Sequence, residues 1–267
     1  MRPAGTSTPS YRGSVRRAAA AGVIEVGVLQ DILAAVQGDA PVREVRIGPF
    51  WTGVWSRGCG LASTQFAHEH SSGPPVREAG SLTTLTARQL CSCAAGASLL
   101  ERCVALAALN SLLEVDLGGC REVNAADLLL ERGWGKRVCV VGHFPFIPRL
   151  REVAAELWVL ERHPREGDLP AEEAGRVIPE AEVVAITGTA LLNQTMDDLL
   201  GLCSPRAFVM VVGPTTPLSP VWFDYGVQVV SGTVVTDPPV VLRLISEGVV
   251  FNQIRGRGVK LVTLMKD

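Results

Sequence analysis

The chain has 267 residues, 47% of them apolar and 19% charged, and a formal net charge of −2. That length suits one large domain or two ordinary ones, with ample apolar surface for a core. Basic and acidic residues number 11 and 10 up to position 123, and 14 and 17 beyond it, so neither half is the basic body of a nucleic-acid binder.

Lysine first occurs at Lys136, which excludes a lysine Schiff base in the first half. The cysteines (59, 91, 93, 103, 120, 139, 203) are odd in number and lie in apolar surroundings. A chain of this size needs no disulfide staples, so they read as buried reduced thiols of a cytoplasmic protein. Residues 1–20, basic and rich in Ser, Pro and Ala, read as a flexible arm without the apolar stretch of a signal peptide. The longest uncharged apolar run, Ala207 to Phe223, holds Pro214, Pro217 and Pro220. It is strand, turn and loop rather than a membrane helix.

Helical spacing from Val23 to Val36 ends at Gly38-Asp39-Ala40-Pro41. Residues 42–48 alternate as a half-buried strand does. Residues 50–56 and 59–64 predict two more strands around a turn at Arg57-Gly58, followed by a polar loop with Gly-Pro-Pro at its centre. Thr86 and Gln89 give a capping-box pattern at the start of an apolar helix running to Leu113, with Gly96 as a break point.

From Asn124, a helix cap, the rhythm changes. Strands are expected at 137–142, 157–161, 182–187, 207–213, 227–231 and 259–265. Helices or turns lie between them, one opened by a Thr195–Asp198 box and one by Asp237 with Pro238 at its first position. This alternation predicts a parallel sheet with βαβ crossovers and a boundary near residue 120.

Ligands of open parallel sheets bind at the carboxyl ends of the strands, and four such ends here carry unusual chemistry. "VGHFPF" offers Gly142 for close backbone approach, His143 and Phe144, but no G-x-G-x-x-G. Glu161 ends "LWVLE", where nucleotide-binding folds place a partner for ribose hydroxyls. "TGTALLNQT" supplies Thr187, Gly188, Thr189, Asn193 and Thr195, a set of hydroxyls, an amide and strand-end N–H groups suited to a carboxylate or phosphate. "GPTTPLSP" stiffens a loop holding Gly213, Pro214 and Thr215. Of the histidines, His143 is placed to act as acid, base or ligand. His68 and His70 would share one face only on a strand, and Cys91 and Cys93 diverge on a helix. No C-x-x-C, H-E-x-x-H or G-x-S-x-G occurs. Cys59, between glycines, reads as a small buried residue in a tight turn.

Together "VGHFPF", "LER-P-GDLP", "ITGTALLNQT" and "VVGPTTPLSP" resemble the family labelled "putative heavy-metal chelation". The N-terminal "IGPFWTGVWS" and "CGLAST" fit it more loosely. The resemblance implies an α/β protein. A small α+β domain like the N-terminal domain of enolase (residues 21–120) would precede a Rossmann-like parallel-sheet domain (residues 121–267). It also implies a ligand cleft between them, to which Trp51, Thr52 and Trp55 are candidate contributors.

Three functions stay open at this point. One is a small-molecule or metal-complex binding protein, its cofactor unassigned or a divalent metal, with the metal-ligating residues unassigned and His143 as the proton carrier of any chemistry. Another is an enzyme using an adenosine-type cofactor such as S-adenosylmethionine, with Glu161 on the ribose. The third is a non-catalytic subunit. No nucleic acid or membrane is expected as a partner, and a homodimer is the base-rate assembly.

Overall fold

A computed structural model describes residues 27–66, 74–92, 98–116, 118 and 123–266. The predicted arm, His68, His70, Cys93, Gly96 and the boundary near 120 lie outside the described residues.

The described residues form a small antiparallel sheet and a larger, mostly parallel one. The chain opens with α1 (Val28–Ala35) and then builds the small sheet from β1 (Glu44–Ile47), β2 (Trp51–Trp55) and β3 (Cys59–Ser63), in that order. Trp55 pairs with Cys59, which closes the hairpin over Arg57-Gly58 as expected. The next helix divides into α2 (Ala87–Ser92) and α3 (Leu99–Leu112). Both are boxed at their start. Thr86 N–H donates to Gln89 Oε1 while Gln89 N–H donates to Thr86 Oγ1, and Ser98 and Glu101 exchange the same pair of bonds.

Alternation along β2 and β3 sets two buried faces. Val54 and Ala62 join the core beneath α3, while Trp51, Cys59 and Leu61 cluster with Val241, Leu242 and Ile245 on the other side. Gly60 lets α3 lie directly on β3: a Cβ there would collide with the Ala107 carbonyl oxygen and the Ser111 N–H.

The larger sheet begins after α4 (Ala125–Gly133), which Asn124 caps by accepting from Ala126 N–H. Its elements are β4 (Arg137–Val141), α5 (Ile147–Val153), β5 (Glu156–Glu161), β6 (Leu169–Pro170), α6 (Ala174–Val177), β7 (Val183–Thr187), α7 (Met196–Leu202), β8 (Phe208–Val212), β9 (Val229–Val235), α8 (Pro238–Ser246), α9 (Phe251–Ile254) and β10 (Val259–Met265). The strand order is β10-β9-β8-β7-β4-β5-β6. β4 sits where the order reverses: the chain builds outward through β5 and β6, then crosses back to β7 on the other side.

Near-continuous apolar strands give this sheet two covered faces, as parallel sheets require. Val138, Val140, Ala185 and Met210 pack under α4 and α5 through Leu128, Ile147 and Leu150. Cys139, Val184, Ile186 and Val211 face the core shared with α1 and α3. Within this mixed α/β architecture, two details depart from expectation. β6, only two residues long, carries no readable alternation. β10 runs antiparallel to β9, because Thr236 N–H and Asp237 N–H donate to Gly258 O and so return the chain to the end it left, with Val259 beside Val235. Among the described residues, no helix is long and apolar enough to cross a membrane.

Candidate functional site

The strand order reverses between β4 and β7, the place at which open parallel sheets bind their ligands. Gly142, the residue after β4, has φ +103°, which an L side chain rarely adopts. A Cβ there would lie 3.0 Å from Thr187 Cβ and 3.3 Å from the Phe144 ring. Gly213, after β8, also has positive φ, and the same ring lies 3.9 Å from its would-be Cβ. Phe144 thus reaches from the end of β4 past β7 to that of β8, and it stacks on Phe146 with centroids 4.9 Å apart. The loop that lacks extra glycines carries an aromatic wall instead.

Glu161 ties this loop down. Its Oε1 accepts His143 N–H at 2.9 Å and its Oε2 accepts Arg162 N–H at 3.0 Å. Strand alternation puts Glu161 on the same face as Val159, and Thr187 on the same face as Ala185, both toward α5. The carboxylate expected to grip a ribose therefore holds backbone.

His143 has a partner that the sequence does not reveal. Its Nδ1 lies 3.0 Å from Asp168 Oδ2, and the Asp168 side chain is 1% exposed against 25% for the histidine. An ionised carboxylate only accepts, so with Asp168 ionised this bond is donated by Nδ1–H. The same Asp168 oxygen also accepts Arg165 N–H. Pairing of Leu169 with Leu160 and of Pro170 with Glu161 fixes Asp168 beside the end of β5.

Arg162 is the second residue absent from the sequence-based candidates. Its guanidinium donates from Nη1 to Asn193 Oδ1 at 2.8 Å. Because β4 lies between β5 and β7, this bond spans the end of β4 beside Gly142 and His143. A signal for it was available: a guanidinium directly after a strand-end acid, in a sheet of the kind that binds ligands at its strand ends.

Thr187 and Thr189 share a hydrogen bond between hydroxyls at 3.0 Å, and Thr189 N–H turns back to Thr187 Oγ1. The chain then enters a short 3₁₀ segment, Gly188–Leu191, rather than the helix start that would aim a dipole at an anion. Gly188 is buried against Thr216, where a Cβ would strike the Thr216 hydroxyl. Thr195 precedes α7, but the expected box does not form: its hydroxyl turns to the Ala190 carbonyl.

The remaining candidates lie in the packing between the sheets. Thr215 Oγ1 accepts Ser63 N–H and bonds Ser63 Oγ, both at 2.9 Å, and Asn110 Nδ2 donates to Thr215 O. Pro214 O accepts the Thr233 hydroxyl. Trp51 packs on Phe251 with centroids 5.7 Å apart, Trp55 lies under the Arg43 guanidinium, and Thr52, fully buried, bonds Thr64. Trp51 points toward α8 and Thr52 to the α3 face, so neither side chain joins the group around His143. A cavity of about 210 Å³, lined by Leu29, Leu33, Leu106, Leu109 and Arg102, takes only Leu191, Leu192 and Gln194 from the segment after β7.

A resident metal does not fit this donor set. Among the described residues, no three His, Cys, Asp or Glu side chains gather to hold a metal ion. Burial pushes the Cys59 and Cys139 thiols up to about 12 and Cys203 to about 11, so none is a thiolate near neutral pH.

Comparison with known proteins gives the chain its family. A protein of unknown function from Desulfitobacterium hafniense, of the DUF364 family, superposes with a TM-score of 0.78 at 27% identity, over 90% of this chain and 98% of that one. One from Pyrococcus horikoshii shares the fold with a TM-score of 0.71 at 16% identity, again over 90% and 98%. An uncharacterized protein of Methanocaldococcus jannaschii is 30% identical over 146 residues, and the match spans 56% of that relative's length. Residues 30–113 match DUF4213 and residues 124–263 match DUF364, both described as "putative heavy-metal chelation". The chain belongs to that family.

Proposed function

We propose that the chain binds a small carboxylate-bearing ligand, free or carrying a metal, at the carboxyl end of the larger sheet. The observation that carries this reading is the Arg162–Asn193 bond, which links the residue after β5 to the segment after β7 across the end of β4. A guanidinium recognises carboxylate with charge-assisted, directional hydrogen bonds, and Phe144 walls the crevice. In this reading the α+β unit of residues 21–120 and the Rossmann-like unit of residues 121–267 flank a cleft, with Thr215 and Ser63 clamping its back. The adenosine-type alternative would ask Glu161 to take ribose hydroxyls on oxygens that already accept His143 and Arg162 N–H.

Isothermal titration with citrate tests the reading. Wild type binds, and Arg162→Ala weakens binding about tenfold or more, the worth of one charge-assisted bond. Unchanged affinity in that variant, or no binding by wild type, overturns it.

A further inference from the structure

We infer that the cavity between α1, α3 and the segment after β7 is a second ligand site, which takes an aliphatic carboxylate of about six carbons. The tail lies on leucines and the head on Arg102. Arg162, Asn193 and His143 do not line this cavity, so the inference goes beyond the strand-end site proposed above.

Helical spacing builds the apolar wall. Leu29 and Leu33 lie one turn apart on α1, and Arg102, Leu106 and Leu109 follow one another at single-turn steps on α3, so each set shares a face. Leu191 and Leu192 close the cavity from the segment after β7. Leu106, Leu109, Leu191 and Leu192 are buried, whereas Gln30 and Gln194 are exposed. The interior is therefore apolar and the mouth polar. An apolar cavity of about 150 Å³ accepts benzene. At about 210 Å³ this one has room for about eight non-hydrogen atoms, the size of hexanoate.

Charge decides which end of the ligand faces out. Among the described residues, Arg102 is the charged side chain of the lining, and no Asp or Glu joins it there. Its Nη1 donates to Gln194 Oε1 at 3.1 Å. Its Nε–H is buried and has no hydrogen-bond partner among the described residues. A donor buried without an acceptor is costly, and an acceptor on a ligand removes that cost. Nε and Nη2 form the edge of a guanidinium that grips a carboxylate side-on. Arg77 grips Glu101 in this way, its Nε and Nη2 donating to the two carboxylate oxygens at 3.0 and 3.3 Å. With Nη1 of Arg102 taken by Gln194, the same edge is left for a ligand. Gln194 is itself unusual. Among the described non-glycine residues it alone has positive φ, at +58°. Such strain persists where surrounding contacts hold it, ligand clamps among them.

Isothermal titration of the full chain with hexanoate and hexanamide tests the inference. The amide has the same tail and size but a neutral head, as an acyl group joined to a carrier has. Wild type is expected to prefer hexanoate about tenfold or more. Affinity should rise about fourfold per methylene from butanoate to hexanoate, the worth of burying each CH₂, and level off beyond octanoate. Arg102→Met keeps the aliphatic stem, so hexanoate should fall to the hexanamide affinity while hexanamide is unchanged. Leu33→Trp, which fills the cavity from its rim, should abolish binding of both. Should Arg102→Met fail to fold, the preference in wild type and its loss in Leu33→Trp carry the test.

No hexanoate binding by wild type, equal affinity for acid and amide, or undiminished binding by Leu33→Trp overturns the inference. So does Arg102→Met weakening acid and amide alike, because Arg102 then acts only by holding Gln194. Arg162→Ala weakening hexanoate as much as Arg102→Met does would place the acid at the strand ends and overturn it too.

Discussion

His143 and Asp168 meet at 3.0 Å although 25 residues separate them in the chain. The bond joins the loop after β4 to the residue before β6, so two segments of the strand-end rim depend on it. Asp168→Ala removes the partner of His143 Nδ1 and of Arg165 N–H at once. The expected cost is about 1–3 kcal/mol, read as a lower urea midpoint with unchanged m-value. An unchanged midpoint would mean that the pair does not order the rim.

Glu161 makes a different prediction. Replacing it with Ala removes the acceptor of two backbone N–H groups, His143 and Arg162. Hydrogen exchange at the His143 amide should speed up markedly, with stability lower by about 1–3 kcal/mol. If the amide keeps its protection, the carboxylate is available to a ligand and the adenosine-type reading regains its footing.

These two acids show what the sequence could and could not reveal. The positions of β4, β5, β7 and β8 followed from apolar runs ended by polar residues, and strand ends of a parallel sheet predict where ligands go. That reasoning put Gly142, His143, Glu161 and Thr187 at strand ends, where they lie. It could not find Asp168, because a two-residue strand has no period to read and its partner is remote in sequence. It gave Thr215 a ligand-facing hydroxyl because loop composition does not say which way a side chain turns; the hydroxyl turns to Ser63. Trp51 and Trp55 looked like binding aromatics, yet alternation in a sheet covered on both faces buries Trp51 and packs both against the α8 side.

Gly142→Ala tests the crevice itself. The positive φ makes any L side chain strained by about 1–3 kcal/mol, and the new methyl would press on Thr187 and Phe144. Lower thermal stability and weaker citrate binding are expected together. Full affinity with full stability would show that the end of β4 does not need its left-handed residue.

The thiols should be chemically quiet. Burial raises Cys59 and Cys139 to about 12 and Cys203 to about 11, with Glu44 adding to the effect at Cys59 and Cys203 at Cys139. Iodoacetamide at pH 8 should leave these three unmodified in the native protein and alkylate them readily in denaturant, as mass spectrometry would show. Fast native labelling of any of them would make cysteine a candidate metal donor again.

Acid should loosen the start of α3. Burial alone would raise the Glu101 carboxyl, but hydrogen bonds from Arg77 and from the Ser98 backbone outweigh it and hold the group below its ordinary 4.5. A depressed carboxylate contributes stability that is present above the unfolded value and is lost as pH falls through the lower folded one. Wild type should therefore lose stability below about pH 4.5 more steeply than Glu101→Gln. Parallel curves for the two proteins would remove Glu101 from the acid limb.

The sharpest measurement is a crystal structure of the protein with nickel citrate, with the metal located by its anomalous scattering. A peak is expected at the ends of β4 and β7, ligated by citrate oxygens. A carboxylate should lie on Arg162. A peak ligated by three or more protein side chains, or one remote from these strand ends, would refute a carboxylate site at this rim.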